Sequence, residues 1–179
     1  MTATQKFLQR YGSGPGLAET SPATAGGAGN EGKIASLDTS TGLLALTMMP
    51  TGIGPDTVTV DAAVSIANGK FVNLYDATGT ASARLADNTD ATKPAHGFVL
   101  TGAASGPVVV YKGGLNNLIP IGAFVAADVG KPVYLTTAGG VTLTRPTGAG
   151  MLDQQIGVVD VIGATLSVNF TPMTGIVVL

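Results

Sequence analysis

The side chains most able to do chemistry in this chain lie between residues 87 and 96: Asp87, Asn88, Asp90, Lys93 and His96, the last being the only histidine. Two carboxylates three apart with a nearby imidazole suggest general acid–base work, or a hard cation held by oxygen ligands. The surrounding run, ADNTDATKPAHGFVL (residues 86–100), argues against both. Calcium takes about six to eight oxygens, and the loop lacks the Asp-x-Asp-x-Asp-Gly frame with a distal glutamate. No third group stands by to orient either aspartate as a base. No Gly-x-Ser-x-Gly elbow supplies a nucleophile for His96. Asp and Asn are also the residues that turns select, because their side chains bond nearby backbone amides. The expectation is a polar loop between strands, with no catalytic residue, no metal and no cofactor.

What must position that loop follows from the totals. The 179 residues suit one domain with an appended segment. Cysteine is absent, which removes disulfides and thiolate metal sites. Only 11% of residues are charged and the net charge is −2; an average soluble protein carries roughly 25%. Without a basic run, counterion release from a nucleic-acid backbone supplies little affinity. No apolar run approaches the roughly 18 residues of a membrane span. The opening MTATQKFLQRYGSGPG lacks the apolar centre of a secretory signal, so synthesis in the cytoplasm is expected. A sparsely charged surface of Thr, Ser, Ala and Gly is poorly defended against self-association. It reads as a surface to be covered by neighbours.

Composition shifts near residue 32. Residues 12–32, GSGPGLAETSPATAGGAGNEG, hold almost no large apolar group and cannot offset their own ordering entropy. Residues 1–32 are therefore expected to be a flexible N-terminal arm. At its tip, TQKFLQRY sets Phe7, Leu8 and Tyr11 along one side of a short helical turn beside Lys6 and Arg10, a candidate partner-binding set. From Lys33 the pattern turns to β. KIASLD, GLLALTM, TVTV, FVNLY, VVVY, PVYLTT, VTLTR, IGVVDV and LSVNF are cut by Gly, Pro, Asn and Asp at short intervals. The stretch at 120–130 has room for one helical turn at most, and the closing GIVVL predicts a paired last strand. The glycine-rich stretches lack the Lys-Ser/Thr of a phosphate loop, and TAGG at 137–140 reads as a hairpin turn.

The body, residues 33–179, also repeats internally. GKFVNLYDATGTASAR (69–84) matches GKPVYLTTAGGVTLTR (130–145) without a gap, and HGFV (96–99) falls near IGVV (156–159). The repeat units run over about 62–118 and 123–171. The fold expected is all-β, a compact barrel or sandwich built from two pseudo-repeated units, with an extended N-terminal arm. Arg84 and Arg145 fall on each other, suggesting a repeated salt bridge or a bond to a backbone carbonyl. The polar loop of the first unit is matched by PTGAGMLDQQ in the second, so it is one of two equivalent connections.

The order of these motifs resembles the head-decoration, or capsid cement, proteins of tailed bacteriophages. The resembling pattern spans about residues 60–170. It runs from a Gly-x-x-Val-x-Leu-Tyr strand and Arg-x-Ala-Asp through Ala-x-Gly-Phe-Val and Gly-x-Val-x-Val-Tyr-x-x-Gly. Val-Tyr-Leu-x-x-x-Gly-Gly and Gln-x-Ile-Gly-Val complete it. The resemblance implies a small β-barrel-like body, often trimeric, on the virion's capsid exterior, with the major capsid protein as partner and no catalytic residues. Related β modules occur in phage tail and fibre proteins, so a receptor- or glycan-binding module is the alternative. That alternative wants exposed aromatics, and the chain has Tyr11, Tyr75, Tyr111 and Tyr134 but no Trp.

Overall fold

A computed structural model describes residues 55–119 and 123–171, together with residues 7–10, 17–20, 23, 35, 37, 44, 48 and 177–178. Contacts divide the chain into two units, Met1–Gly54 and Pro55–Leu179. The division thus falls at Gly54/Pro55, whereas the composition shift lies near residue 32. In the first unit β1 (Phe7–Arg10) pairs antiparallel with β2 (Leu17–Thr20), Phe7 facing Thr20 and Arg10 facing Leu17. The helical turn expected at Phe7, Leu8 and Arg10 is therefore a strand. A lone turn fixes several residues for one bond, whereas β2 offers a ladder of partners. Lys6 and Tyr11 lie outside the described residues. So do most of the strands expected over 33–48, where Ala35 forms a parallel bridge with Ala23.

The second unit is all β. β3 (Thr57–Ala62), β4 (Phe71–Ala77), β5 (Thr80–Leu85), β6 (Gly97–Phe98) and β7 (Gly106–Tyr111) form a closed barrel in the order β3-β5-β4-β6-β7. β8 (Gly114–Asn116), β9 (Pro132–Leu135), β10 (Val141–Thr142), β12 (Gln155–Ile162) and β13 (Thr165–Phe170) form a second sheet, ordered β10-β9-β12-β13-β8. β11 (Leu152–Asp153) pairs with β14 (Val177–Val178), so the terminal strand is paired as expected. The helical content around 120–130 is a single 3-10 turn at Ala126–Asp128.

Strand alternation sorts the core by size. The barrel interior holds Val60, Ala62, Ile66, Val72, Ala83, Val99, Val108 and Val110. A five-stranded barrel is narrow, and only small or β-branched side chains fit inside it. Phe71, next to Val72 on β4, points to the opposite face. There Phe71 and Phe98 pack with Val133, Leu135, Ile156 and Phe170 of the second sheet. The Phe71 and Phe170 rings lie 5.5 Å apart, and Phe98 meets Phe170 edge-on at 5.9 Å.

The two sheets are copies of one plan. Val72 faces Gly97 in the barrel as Val133 faces Gly157 in the second sheet. The Gly69 N–H reaches the Val99 carbonyl at 2.8 Å, and Gly130 reaches Val159 at 2.8 Å. Val99 donates back to Lys70 at 3.0 Å, as Val159 does to Lys131 at 3.0 Å. The copies diverge at the hairpin. β4 and β5 are joined by a two-residue turn, with Thr78 at φ 56° and Gly79 at φ 86°, the geometry favoured by twisted hairpins. β9 and β10 are joined by residues 136–140, through a 3-10 turn at Thr137–Gly139. Leu74 faces Ala83, but its counterpart Leu135 faces Val141. The gap-free match of sequence thus slips by three residues in space, and Val141 takes the place of Ala83.

Gly97 and Gly157 occupy the same position in the two copies, and each lies against a neighbouring strand's backbone. A Cβ on Gly97 would sit 2.6 Å from the Tyr111 carbonyl oxygen, and one on Gly157 would collide with the Asn169 carbonyl. Gly97→Ala and Gly157→Ala are each expected to lower the unfolding free energy by about 1–3 kcal/mol in urea titrations. Gly113→Ala, with its nearest atom 3.9 Å away, should change it by less than about 0.5 kcal/mol. Equal effects at all three positions would contradict the packing argument.

Candidate functional site

The polar loop joins β5 to β6 and is built from one motif used twice. Asp87 Oδ1 accepts the Thr89 N–H at 2.9 Å and the Thr89 hydroxyl at 2.7 Å. Asp90 Oδ1 accepts the Thr92 N–H at 2.9 Å and the Thr92 hydroxyl at 2.7 Å. These Asp-x-Thr turns follow from short acceptor side chains that bond the amide two residues on. Lys93 Nζ lies 2.9 Å from Asp90 Oδ2, and the Asp87 N–H bonds the Lys93 carbonyl at 2.9 Å. Burial pushes the Asp87 carboxyl up, but the Thr89 hydroxyl and amide, the Ala138 amide and the Lys93 charge together hold it below its ordinary range. The Lys93 bond, then the Thr92 hydroxyl and amide, hold Asp90 well below that range.

The same loop is stitched to the second copy. Gly139 donates to the Ala86 carbonyl at 2.6 Å, and Leu152 donates to the Asn88 carbonyl at 2.7 Å. Gln154, 1% exposed, makes two bonds to one residue. Its Oε1 accepts the Ala95 N–H at 2.7 Å and its Nε2 donates to the Ala95 carbonyl at 2.9 Å. Sequence reasoning placed Gln154 in a loop and gave it no role; the amide in a connection equivalent to the Asp loop was the available signal. Asn116, fully buried, makes a comparable link by donating Nδ2 to the Gly69 carbonyl at 2.8 Å.

His96 is turned toward β4. Its Nδ1 lies 3.1 Å from the Leu74 N–H and 3.4 Å from Asn73 Nδ2, and neither aspartate is among these partners. Asn73 Oδ1 accepts from Arg84 Nε at 2.9 Å, while Arg84 Nη2 donates to the Thr92 carbonyl at 2.8 Å. The guanidinium also covers the Tyr75 ring at 4.4 Å. Arg145 takes the other option, an ion pair with the buried Asp153, its Nε 2.7 Å from Oδ2. That bond raises the Arg145 pKa. The two arginines therefore divide the alternatives expected of them, a backbone carbonyl for Arg84 and a carboxylate for Arg145. Among the described residues, no group of three or more His, Asp or Glu is placed to hold a metal ion. The arrangement is one of rigid cross-links in which each charge answers a local partner.

Two features face outward. Leu8, of the candidate arm set, is 67% exposed. A cleft of about 300 Å³ lies between Asn68, Gly69 and Lys70 on one side and Thr136, Thr137, Gly140 and Val141 on the other, with Ile119 and Ala123 beside it. Compared with known protein families, curated proteins and solved structures, the chain matches none.

The loop's chemistry makes two outcomes measurable. Gln154→Ala leaves the buried Ala95 N–H and C=O without partners, and should cost about 2–4 kcal/mol in urea unfolding. Both Asp87 and Asp90 have lowered folded-state pKa values, so their contribution is present above the unfolded value of about 4 and is lost as pH falls below it. The double variant Asp87→Asn/Asp90→Asn keeps acceptors for the threonines but not the charges. Its stability should fall less steeply than wild type between pH 5 and pH 2. Parallel curves would mean that the carboxylates contribute nothing.

Proposed function

We propose that this chain is a structural virion protein, which binds the outer surface of a phage capsid and stabilises it as a decoration, or cement, protein. The observation that carries the reading is the duplicated, cross-linked β body, on which the motifs of the sequence resemblance fall in order. Phe71–Ala77 with Thr80–Leu85, Gly97–Phe98, Gly106–Tyr111, Pro132–Leu135 and Gln155–Ile162 are its strands. A cement protein needs a stiff body, a surface ready for neighbours and a segment that ties it to the shell. The body supplies stiffness through its shared core and buried amide links. Exposed Val64, Val109, Leu115, Leu118, Val125, Val129, Val161 and Ile162 give its surface apolar contacts. Tyr75 and Tyr111 are engaged by Arg84 and Phe98, which suits a structural body better than a sugar-stacking platform.

In this reading the partner is the major capsid protein, and the N-terminal arm with Lys6, Phe7, Leu8, Arg10 and Tyr11 makes the tie. The chain acts as a homo-oligomer, a trimer by the resemblance, so that several modest contacts act together. Contacts of this kind are mainly apolar and hydrogen-bonded, with little dependence on salt.

The deciding measurement is the copy number of the chain in purified virions relative to the major capsid protein. Parity or a simple fraction of it is expected; a handful of copies per particle would move the protein to a tail or vertex, and absence would end the reading. Deleting residues 1–32 should leave a folded body that no longer stays on capsids. Undiminished capsid binding would remove the arm from this role.

A further inference from the structure

The barrel is closed and its copy is not. In the barrel, β3 pairs antiparallel with β7 along its whole length and closes on β5 through Asp61–Ser82 and Ala62–Ala83. In the second sheet β8 lies beside β13 as β3 lies beside β7, but β8 and β10 do not meet. The cause is local. Asn116 turns its side chain inward to Gly69, and its Oδ1 takes the Leu118 N–H at 3.2 Å, which ends β8 after three residues. The 300 Å³ cleft occupies the resulting gap.

Val141 stands on the wall of that cleft, at the position that Ala83 holds in the barrel. Ala83 uses its outer backbone, since the Ala63 N–H donates to its carbonyl at 2.9 Å. The outer backbone of Val141 is oriented likewise. Thr136 donates to the Gly140 carbonyl at 3.0 Å, and the Leu135 N–H turns to Gln154 on the opposite side at 3.1 Å. Leu135 and Val141 are therefore a pair without mutual bonds, and the N–H and C=O of Val141 point away from β9. Among the described residues no hydrogen bond reaches either group.

We propose that the cleft is a strand-acceptor site, filled by an extended segment of a second copy of the chain that bonds Val141 as β3 bonds Ala83. The walls say what kind of segment fits. They present glycines, alanine and threonines with Lys70 as the one charged residue. Such a site recognises an extended backbone with small neutral side chains, not a charged motif. The strand that fills the equivalent place in the barrel is this chain's own TVTVDA, and only 11% of the chain is charged. A second copy brings sequence of that composition wherever the chain is dense. Leu115 and Leu118, on the β8 side of the gap, are 37% and 42% exposed and would be covered by an added strand. Donation from one copy to the cleft of the next is a head-to-tail contact, which closes into a ring. The inference rests on the homo-oligomer within the proposed function, and not on capsid binding.

The test is sedimentation of the full purified chain over a range of concentrations, with hydrogen exchange read at the Val141 amide. Self-association should slow exchange at Val141. Val141→Pro removes the outward N–H, and Gly140 at φ −86° and ψ 176° already has the extended form that precedes proline. This variant should associate roughly tenfold more weakly than wild type, with an unchanged circular dichroism spectrum. If the variant misfolds, the wild-type exchange data decide alone. A chain that is monomeric at every concentration, or a Val141 amide that exchanges equally fast when associated and when dilute, would overturn the proposal. Protection that develops only on adding capsid protein would overturn it too, since the occupant is then a capsid segment. These outcomes are separate from virion copy number, so the two readings can fail independently.

Discussion

The body depends on where three phenylalanines can go. A barrel of five strands has no interior room for an aromatic ring, so Phe71 and Phe98 take the outer face of β4 and β6, where water would otherwise meet them. Phe170 and the aliphatic face of the second sheet cover them, and all three rings are at most 1% exposed. Fully burying one such side chain stabilises by about 1.5–3 kcal/mol, so this face is a principal source of stability. It also makes each sheet's order conditional on the other. The barrel without its cover would expose an aromatic patch, and the second sheet is open on both edges and has little interior of its own.

Duplication explains how one chain arrives at two complementary halves, and small changes in turn chemistry explain why the halves differ. The first hairpin closes with Thr78 and Gly79 at positive φ, and β5 runs on far enough for β3 to seal it. In the second, Ala138 and Gly139 take the positive φ values inside a longer connection, and β10 ends after two residues. Beyond it, Thr144 donates to the Thr142 hydroxyl at 3.1 Å and Arg145 swings to Asp153. The two β-to-β connections then serve as fasteners. The Asp-x-Thr loop offers its backbone to Gly139 and Leu152, and Gln154 reaches back to Ala95. Polar residues that look catalytic in a linear reading are the groups that hold these connections in place.

Much of this was legible in residue order, and the failures have physical causes. Alternation of Val, Thr and Leu between turn residues identified the strands, and the glycine, lysine and valine spacings of 69–84 and 130–145 exposed the repeat. The polar loop was legible as turn-forming because Asp and Thr bond locally. The three-residue slip at the second hairpin was not, because it depends on whether a turn takes two residues or five, and glycine permits both. Nor was the division of labour between Arg84 and Arg145, since a guanidinium accepts whichever acceptor the fold presents. Gln154 escaped notice because its importance comes from a contact 59 positions away in sequence. At Phe7, Leu8 and Arg10 a helical spacing was read into residues that pair with Leu17–Thr20, a partner that periodicity alone does not reveal.

The disposition of charge carries the argument furthest. Lys93 answers Asp90, Lys131 answers Asp128 at 2.8 Å, Lys112 lies 3.7 Å from Asp56, and Arg145 answers Asp153. Asp76 bonds the Gly79 amide at 2.6 Å and Asp160 that of Val161 at 2.7 Å. Charges neutralised at such short range leave little field to steer a distant partner. What the body has to offer a neighbour is therefore shape, exposed valine and leucine side chains, and unpaired backbone at the edges of its open sheet. A surface of that kind acts where partners are already held close and numerous, which is the condition of a protein packed in many copies on a shell.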